Sequence, residues 1–179
     1  MKLMIASSSS GATSSEITAQ CLAHSEVKSV IVICISSPPA SLYQEHDKLR
    51  VHTMKGGKGD LFKSTLKEDL IGVHACIWPP VIQPCLDFVA YAARESLKAF
   101  RAASPPSGKT FRFVYQGLPL TERDENRRGL GFLGPLMWMR DEAENRLLGV
   151  HSDDFEAYIL CPGMMLSSGA CTLAWYLVA

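Results

Sequence analysis

The sequence predicts an α/β protein built on a doubly wound parallel sheet, and three observations carry that expectation. Short apolar runs alternate with stretches of helical spacing along the chain, the signature of strand–helix–strand units. The run from Val27 to Ile35 is nearly unbroken and β-branched, as a strand covered on both faces must be. Most runs end at small residues or prolines, which punctuate a turn rather than extend a strand.

Each element follows in order. Lys2 to Ala6 is a strand that stops at Ser7-Ser8-Ser9-Ser10-Gly11, and Ile17, Cys21 and Leu22 then share one side of a helix. The strand Val27 to Ile35 is cut by Ser36-Ser37-Pro38-Pro39. A weaker strand spans Leu49 to Met54 before a Gly/Lys turn at Lys55 to Gly59. Phe62, Leu66 and Leu70 recur at helical spacing, and Val73 to Trp78 is the next strand. Pro79, Pro80 and Pro84 bracket a loop that leads to a helix from Leu86 to Phe100. A Pro/Ser/Gly linker, Ser104 to Gly108, precedes the strand Thr110 to Tyr115. A short helix over Asp141 to Leu148 and a strand over Phe155 to Leu160, closed by Pro162-Gly163, complete the set. With no internal repeat and no second core, 1–179 reads as a single domain.

Composition narrows the partners. The chain has 179 residues, and its 18 Lys and Arg balance its 18 Asp and Glu. No net positive field exists to hold a nucleic acid or an anionic membrane, so neither is expected. With 47% hydrophobic and 20% charged residues, the chain has the composition of a folded domain rather than a disordered one. The apolar stretch Cys171 to Ala179 is about half of a bilayer span. It reads as a strand or core segment, with a homodimer contact as the alternative. The cysteines are scattered and form no CxxC pair, so neither zinc nor a disulfide framework is expected. A reduced, cytoplasmic, soluble protein is the expectation. The five histidines form no metal-ligand pattern, and His74, before an apolar strand, reads as structural. Glu142 and Glu144, with Arg140 and Arg146, read as a solvated helix face.

In a sheet of this kind ligands bind beyond the carboxyl ends of the strands. That directs attention to Ser7 to Ser14, Ser36-Ser37, Trp78 to Pro80, Gln116 to Asp124, and Cys161 to Leu166.

An ordered set of segments carries a family resemblance: Met1 to Ile5 with its small-residue turn and Glu16-Ile17 opening a helix, then Ala75 to Trp78 and Phe111 to Tyr115. Glu122-Arg123-Asp124, Met139-Arg140, Glu142 to Asn145 and Pro162-Gly163 extend it. Over nearly the whole chain this resembles an atypical short-chain dehydrogenase/reductase, of the NmrA-like and epimerase-like NAD(P)-binding group common in fungi. The resemblance implies a Rossmann-like fold and a glycine-rich turn that cradles a dinucleotide. In the corresponding register this chain has Ser8, Gly11 and Ser14, a vestigial cofactor-binding set with one glycine. Uncharged Ser36 and Ser37 stand where the resemblance implies a ribose-reading acid or arginines, and Pro79-Pro80 stands where it implies room for nicotinamide. The implied Ser/Thr, Tyr and Lys fall at Gly117, Leu136 and Arg140. Leucine cannot move a proton, so no cofactor is expected, with NADP as the alternative.

The groups that remain suggest acid chemistry. Glu122 and Asp124 lie in a loop with apolar neighbours, and a sheltered carboxyl has a raised pKa suited to a general acid. A solvated charge run is the plainer reading of that loop. Gln116 or Arg140 would orient a substrate oxygen. Trp78, Tyr115, Leu136, Met137 and Trp138 would line the pocket, their aromatic faces shielding a cation. For Trp78 core filling is the alternative, and Tyr115 is expected to pack inward. Two functions follow. One is a redox-independent enzyme that isomerises, cyclises or rearranges an epoxide in a small secondary-metabolite substrate. The other is an NAD(P)-binding oxidoreductase or a non-catalytic NmrA-like dinucleotide sensor.

Overall fold

The computed structural model describes residues 1–7, 12–34, 43, 45–54, 68–78, 87–105, 108–116, 142–150 and 152–160. Six strands form one sheet: β1 (Lys2–Ser7), β2 (Ser29–Cys34), β3 (Leu49–Thr53), β4 (Ala75–Trp78), β5 (Phe111–Gln116) and β6 (Phe155–Leu160). Their order is β3-β2-β1-β4-β5-β6, and every neighbouring pair is parallel. This is the doubly wound, Rossmann-like arrangement, with its switch point between β1 and β4. Helices α1 (Ala12–Ala23) and α2 (Asp87–Ala102) flank the sheet, and residues 142–148 are helical.

Alternation along the strands sends successive side chains to opposite faces. One face carries Met4, Ile31, Cys76, Trp78, Phe111, Phe113 and Tyr115, packed on Val89, Ala92, Ala93, Leu97 and Phe100 of α2. Those α2 positions follow helical spacing, and Ser96 among them is fully buried, its hydroxyl 3.8 Å from Met4 Sδ. The other face carries Leu3, Ile5, Val30, Val32 and Cys34 against Ile17, Cys21 and Leu22 of α1. Burying one such large apolar side chain contributes about 1.5–3 kcal/mol, so both faces hold the layers together.

Turns trim two strands relative to their apolar runs. Val27 N–H donates to His24 O, so β2 begins only at Ser29. Val73 N–H donates to Leu70 O, which delays β4 to Ala75. Helix α1 begins at Ala12, earlier than a Glu16-Ile17 opening. Between Leu70 and β4, Gly72 has φ +76, and an added Cβ would lie 3.3 Å from Ala103 Cβ. Its own N–H donates to Ala99 O, locking this turn to the end of α2.

The amino edge of the sheet is tied by charge. Lys2 Nζ donates to Ile71 O, and Lys2 N–H donates to His74 Nδ1. Arg101, in the last turn of α2, grips Asp154 through Nε and Nη2, at 2.7 and 2.6 Å, and also reaches Ser152. The guanidinium beside Asp154 holds its carboxyl well below the usual carboxylate range. Burial and the nearby N-terminus, Lys109 and Lys2 lower the His74 pKa, so it is a neutral acceptor in this edge. Glu142 pairs with Arg146 at 2.8 Å, one helical turn apart, while Glu144 is half-buried. Cys21, Cys34 and Cys76 are free. Among the described residues no helix is long and apolar enough to cross a membrane.

Candidate functional site at the carboxyl edge

Register places the last polar side chains of three strands in one row. Ile5 pairs with Ile77, and Ile77 with Val114, so these three share a row across β1, β4 and β5. Two residues further on stand Ser7 in β1 and Gln116 in β5, on the same face. Strand spacing puts them ~10 Å apart, astride the switch point. Cys34 pairs with Ser7, and Thr53 with Cys34, so the row continues to the β3 edge. Ser7 and Cys34 are fully buried and Gln116 is 6% exposed. The carboxyl end of an apolar sheet is therefore capped, on the α1 face, by hydroxyl, thiol and amide groups.

The half of this row over β1 and β2 is internally bonded. Tyr43 donates its phenolic hydrogen to Ser7 Oγ at 2.7 Å. Burial raises the pKa of both the Tyr43 phenol and the Cys34 thiol, the hydrogen bonds to Ser7 offsetting only part of that. Phenol and thiol therefore stay protonated at neutral pH, and the cluster carries no charge. An open groove of about 540 Å³ runs between α1 and the segment after β2, lined by Ser15, Thr18, Leu22, Tyr43, Glu45 and His46 among others. Tyr43 stands both in that groove and against Ser7.

One further hydroxyl fastens α1 to the end of β1, and a second braces the helix turn that carries it. Ser14 Oγ donates to Ala6 O at 3.0 Å, and Thr18 Oγ1 donates to Ser14 O at 2.6 Å. Ser14 is 2% exposed, so its side chain holds helix to strand.

The other half of the row differs. Gln116 Oε1 is buried and accepts no hydrogen bond among the described residues. A buried acceptor left unmet costs about 1–3 kcal/mol, and native structures keep few of them. Trp78 and Tyr115 stand on the opposite face, in the core beneath α2, with Trp78 stacked on Phe113 at 6.1 Å. Their described contacts are core contacts, which is the alternative weighed for Trp78 and the expectation for Tyr115. Ser8, Gly11, Glu122, Asp124, Leu136, Met137, Trp138 and Arg140 lie outside the described residues. Among the described residues no group of three His, Cys, Asp or Glu side chains could hold a metal.

Sequence reasoning missed Tyr43 and Cys34. Cys34 closes the longest β-branched run, so its place at a carboxyl end was readable. Tyr43 is the lone aromatic residue between Ser36 and Arg50, a signal that marks a residue worth placing but not its partner.

No family model matches the chain, and no curated protein matches it. Among solved structures it is similar to vestitone reductase from alfalfa (Medicago sativa), with a TM-score of 0.59 and 15% identity over 90% of this chain and 56% of that one. It shows weaker likeness to a mutated uronate dehydrogenase (TM-score 0.38, 11% identity, 65% of this chain and 38% of that one). The DNA/pantothenate metabolism flavoprotein from Streptococcus pneumoniae is also weaker (TM-score 0.43, 13% identity, 98% and 91%). Only the first is strong enough to speak to fold, and the chain spans 56% of that reductase's length. Sheet order and that likeness agree: this is a Rossmann-like α/β fold of the kind on which a plant reductase is built.

Proposed function

We propose that this protein is a small-molecule enzyme on a reductase-like scaffold that works without hydride transfer. The observation that carries the reading is the neutral Tyr43–Ser7–Cys34 cluster at the ends of β1 and β2. A dinucleotide at a Rossmann edge needs close backbone approach at the first turn and a charged reader of its ribose or 2′-phosphate after β2. Here Ser7 and the Tyr43 phenol meet at the end of β1, and at the end of β2 the described side chains are neutral Cys34 and Tyr43, with the acid Glu45 further along the same groove. The bonded Tyr43–Ser7 pair at the end of β1 supports a reading without that coenzyme.

The chemistry proposed is acid-assisted rearrangement. Glu122 or Asp124, as a carboxylic acid, donates its proton to an epoxide or hydroxyl oxygen, and the C–O bond breaks with its electron pair going to oxygen. The resulting cation rearranges by migration or ring closure within the substrate, or not at all, and the product in each case returns one proton to the carboxylate, so atoms and charge balance as an isomerisation. Where a hydroxyl departs, water is the second product. Gln116 or Arg140 orients the oxygen, and Leu136, Met137 and Trp138 supply apolar shelter.

A second reading, an NAD(P)-binding oxidoreductase or dinucleotide sensor, is favoured by the likeness to vestitone reductase. Titration of the purified chain with NADPH and NAD separates the two. The first reading expects no binding at micromolar concentration; micromolar binding with NADPH consumption would overturn it. With a substrate in hand, Glu122→Ala and Asp124→Ala test the acid, and full activity in both would remove that assignment.

A further inference from the structure

We infer that Gln116 is a specificity-determining residue that accepts a hydrogen from the ligand, so the molecule entering this edge carries a neutral hydroxyl or amide N–H at that point. The inference rests on reading the carboxyl edge as a small-molecule site and names the chemistry it selects.

Three observations combine. Gln116 ends β5 and is 6% exposed, and its Oε1 has no hydrogen-bond partner among the described residues. The groups across the switch point are not in the same condition, because Ser7 Oγ already receives the Tyr43 hydrogen. One row deeper lie Ile5, Ile77 and Val114, which offer no polar atom from their side chains. Of the described polar side chains in this row, Gln116 alone has a buried acceptor left unmet among the described residues. Oε1, unlike the Nε2 of the same amide, takes a donor hydrogen and gives an ether or ketone oxygen nothing, so within the proposed reaction this contact selects the hydroxyl-bearing substrate over the epoxide. A site built to receive a hydroxyl rejects an analogue lacking it, because its own polar group is then left unpaired. The unmet acceptor also weakens the ligand-free fold, the trade commonly found at binding sites.

The test uses the full chain, ¹⁵N-labelled, with phenol and anisole as probes; they differ in whether the oxygen carries a hydrogen or a methyl. Phenol is expected to shift the backbone amide signals of Tyr115 and of position 116, which every variant retains, and anisole to leave them in place. In Gln116→Met the response to phenol disappears, while the ligand-free melting temperature rises by about 3 °C or more. Gln116→Glu, which keeps an acceptor, retains the preference for phenol. A fall in melting temperature or loss of folding in Gln116→Met would overturn the inference, as would equal responses, or none, to both probes. NADPH binding with hydride consumption would instead sink the proposed reaction while leaving the Gln116 result standing.

Discussion

The two edges of the sheet handle polar groups differently. At the amino edge charge is matched by charge or by a carbonyl: Lys2 on Ile71 O, Arg101 on Asp154 and Ser152, Gly72 N–H on Ala99 O. At the carboxyl edge the described polar side chains of the row are neutral, Ser7, Cys34 and Gln116 are deeply buried, and Gln116 Oε1 is left over. A matched edge joins helices to strands and has no free capacity for a ligand. An unmatched one costs stability until something fills it. The contrast marks the carboxyl edge as the candidate site without any motif.

Substitutions can break or sharpen that contrast. The largest effect belongs to the layer supporting both edges. Phe113 is fully buried and stacked on Trp78, so Phe113→Ala should cost about 3–5 kcal/mol in urea unfolding. Next is the amino-edge turn: Gly72→Ala forces a Cβ into a left-handed residue against Ala103 and should cost about 1–3 kcal/mol. Ser14→Ala removes the buried bond to Ala6 O and should cost about 1–2 kcal/mol by the same measurement. An unchanged stability there would mean the α1 fastening is ornamental.

The Arg101–Asp154 grip predicts a pH dependence. Its carboxyl is depressed, so its contribution is fully present above the ordinary carboxylate pKa of about 4 and is lost as pH falls through the lower folded value. Arg101→Met should therefore narrow the stability difference from wild type as pH is lowered below about 4. The smallest effect is chemical. Burial raises the pKa of Cys21, Cys34 and Cys76 alike, but Cys34 and Cys76 are fully buried, so native protein at neutral pH should be alkylated by iodoacetamide at half-buried Cys21 before either of them. Peptide mapping reads the order directly.

The central strands were legible because burial on both faces leaves a short β-branched apolar run bounded by turn residues, and the edge strand β6 by its apolar run before Pro162-Gly163. β6 occupies Phe155–Leu160 as its run predicts, and residues 142–148 are helical. The start of α1 was not legible. Thr13-Ser14-Ser15 reads as loop because such hydroxyls compete for backbone in isolation. Ser14 instead spends its hydroxyl on Ala6 O, a partner supplied only by the folded sheet. The same applies to the site. Gln116 stood out as the polar residue ending an apolar strand, whereas the meeting of Tyr43 with Ser7 spans 36 residues and no local pattern announces it. Parity also separates Trp78 and Tyr115 from Gln116, because their paired register assigns them to the α2 face.

The most direct measurement compares melting temperatures of ligand-free Gln116→Met and Ser14→Ala, one from each kind of buried polar contact. Opposite signs are predicted, a rise for the first and a fall for the second. A fall in both would mean that Gln116 is held by the fold as firmly as Ser14, and that the carboxyl edge keeps nothing in reserve for a ligand.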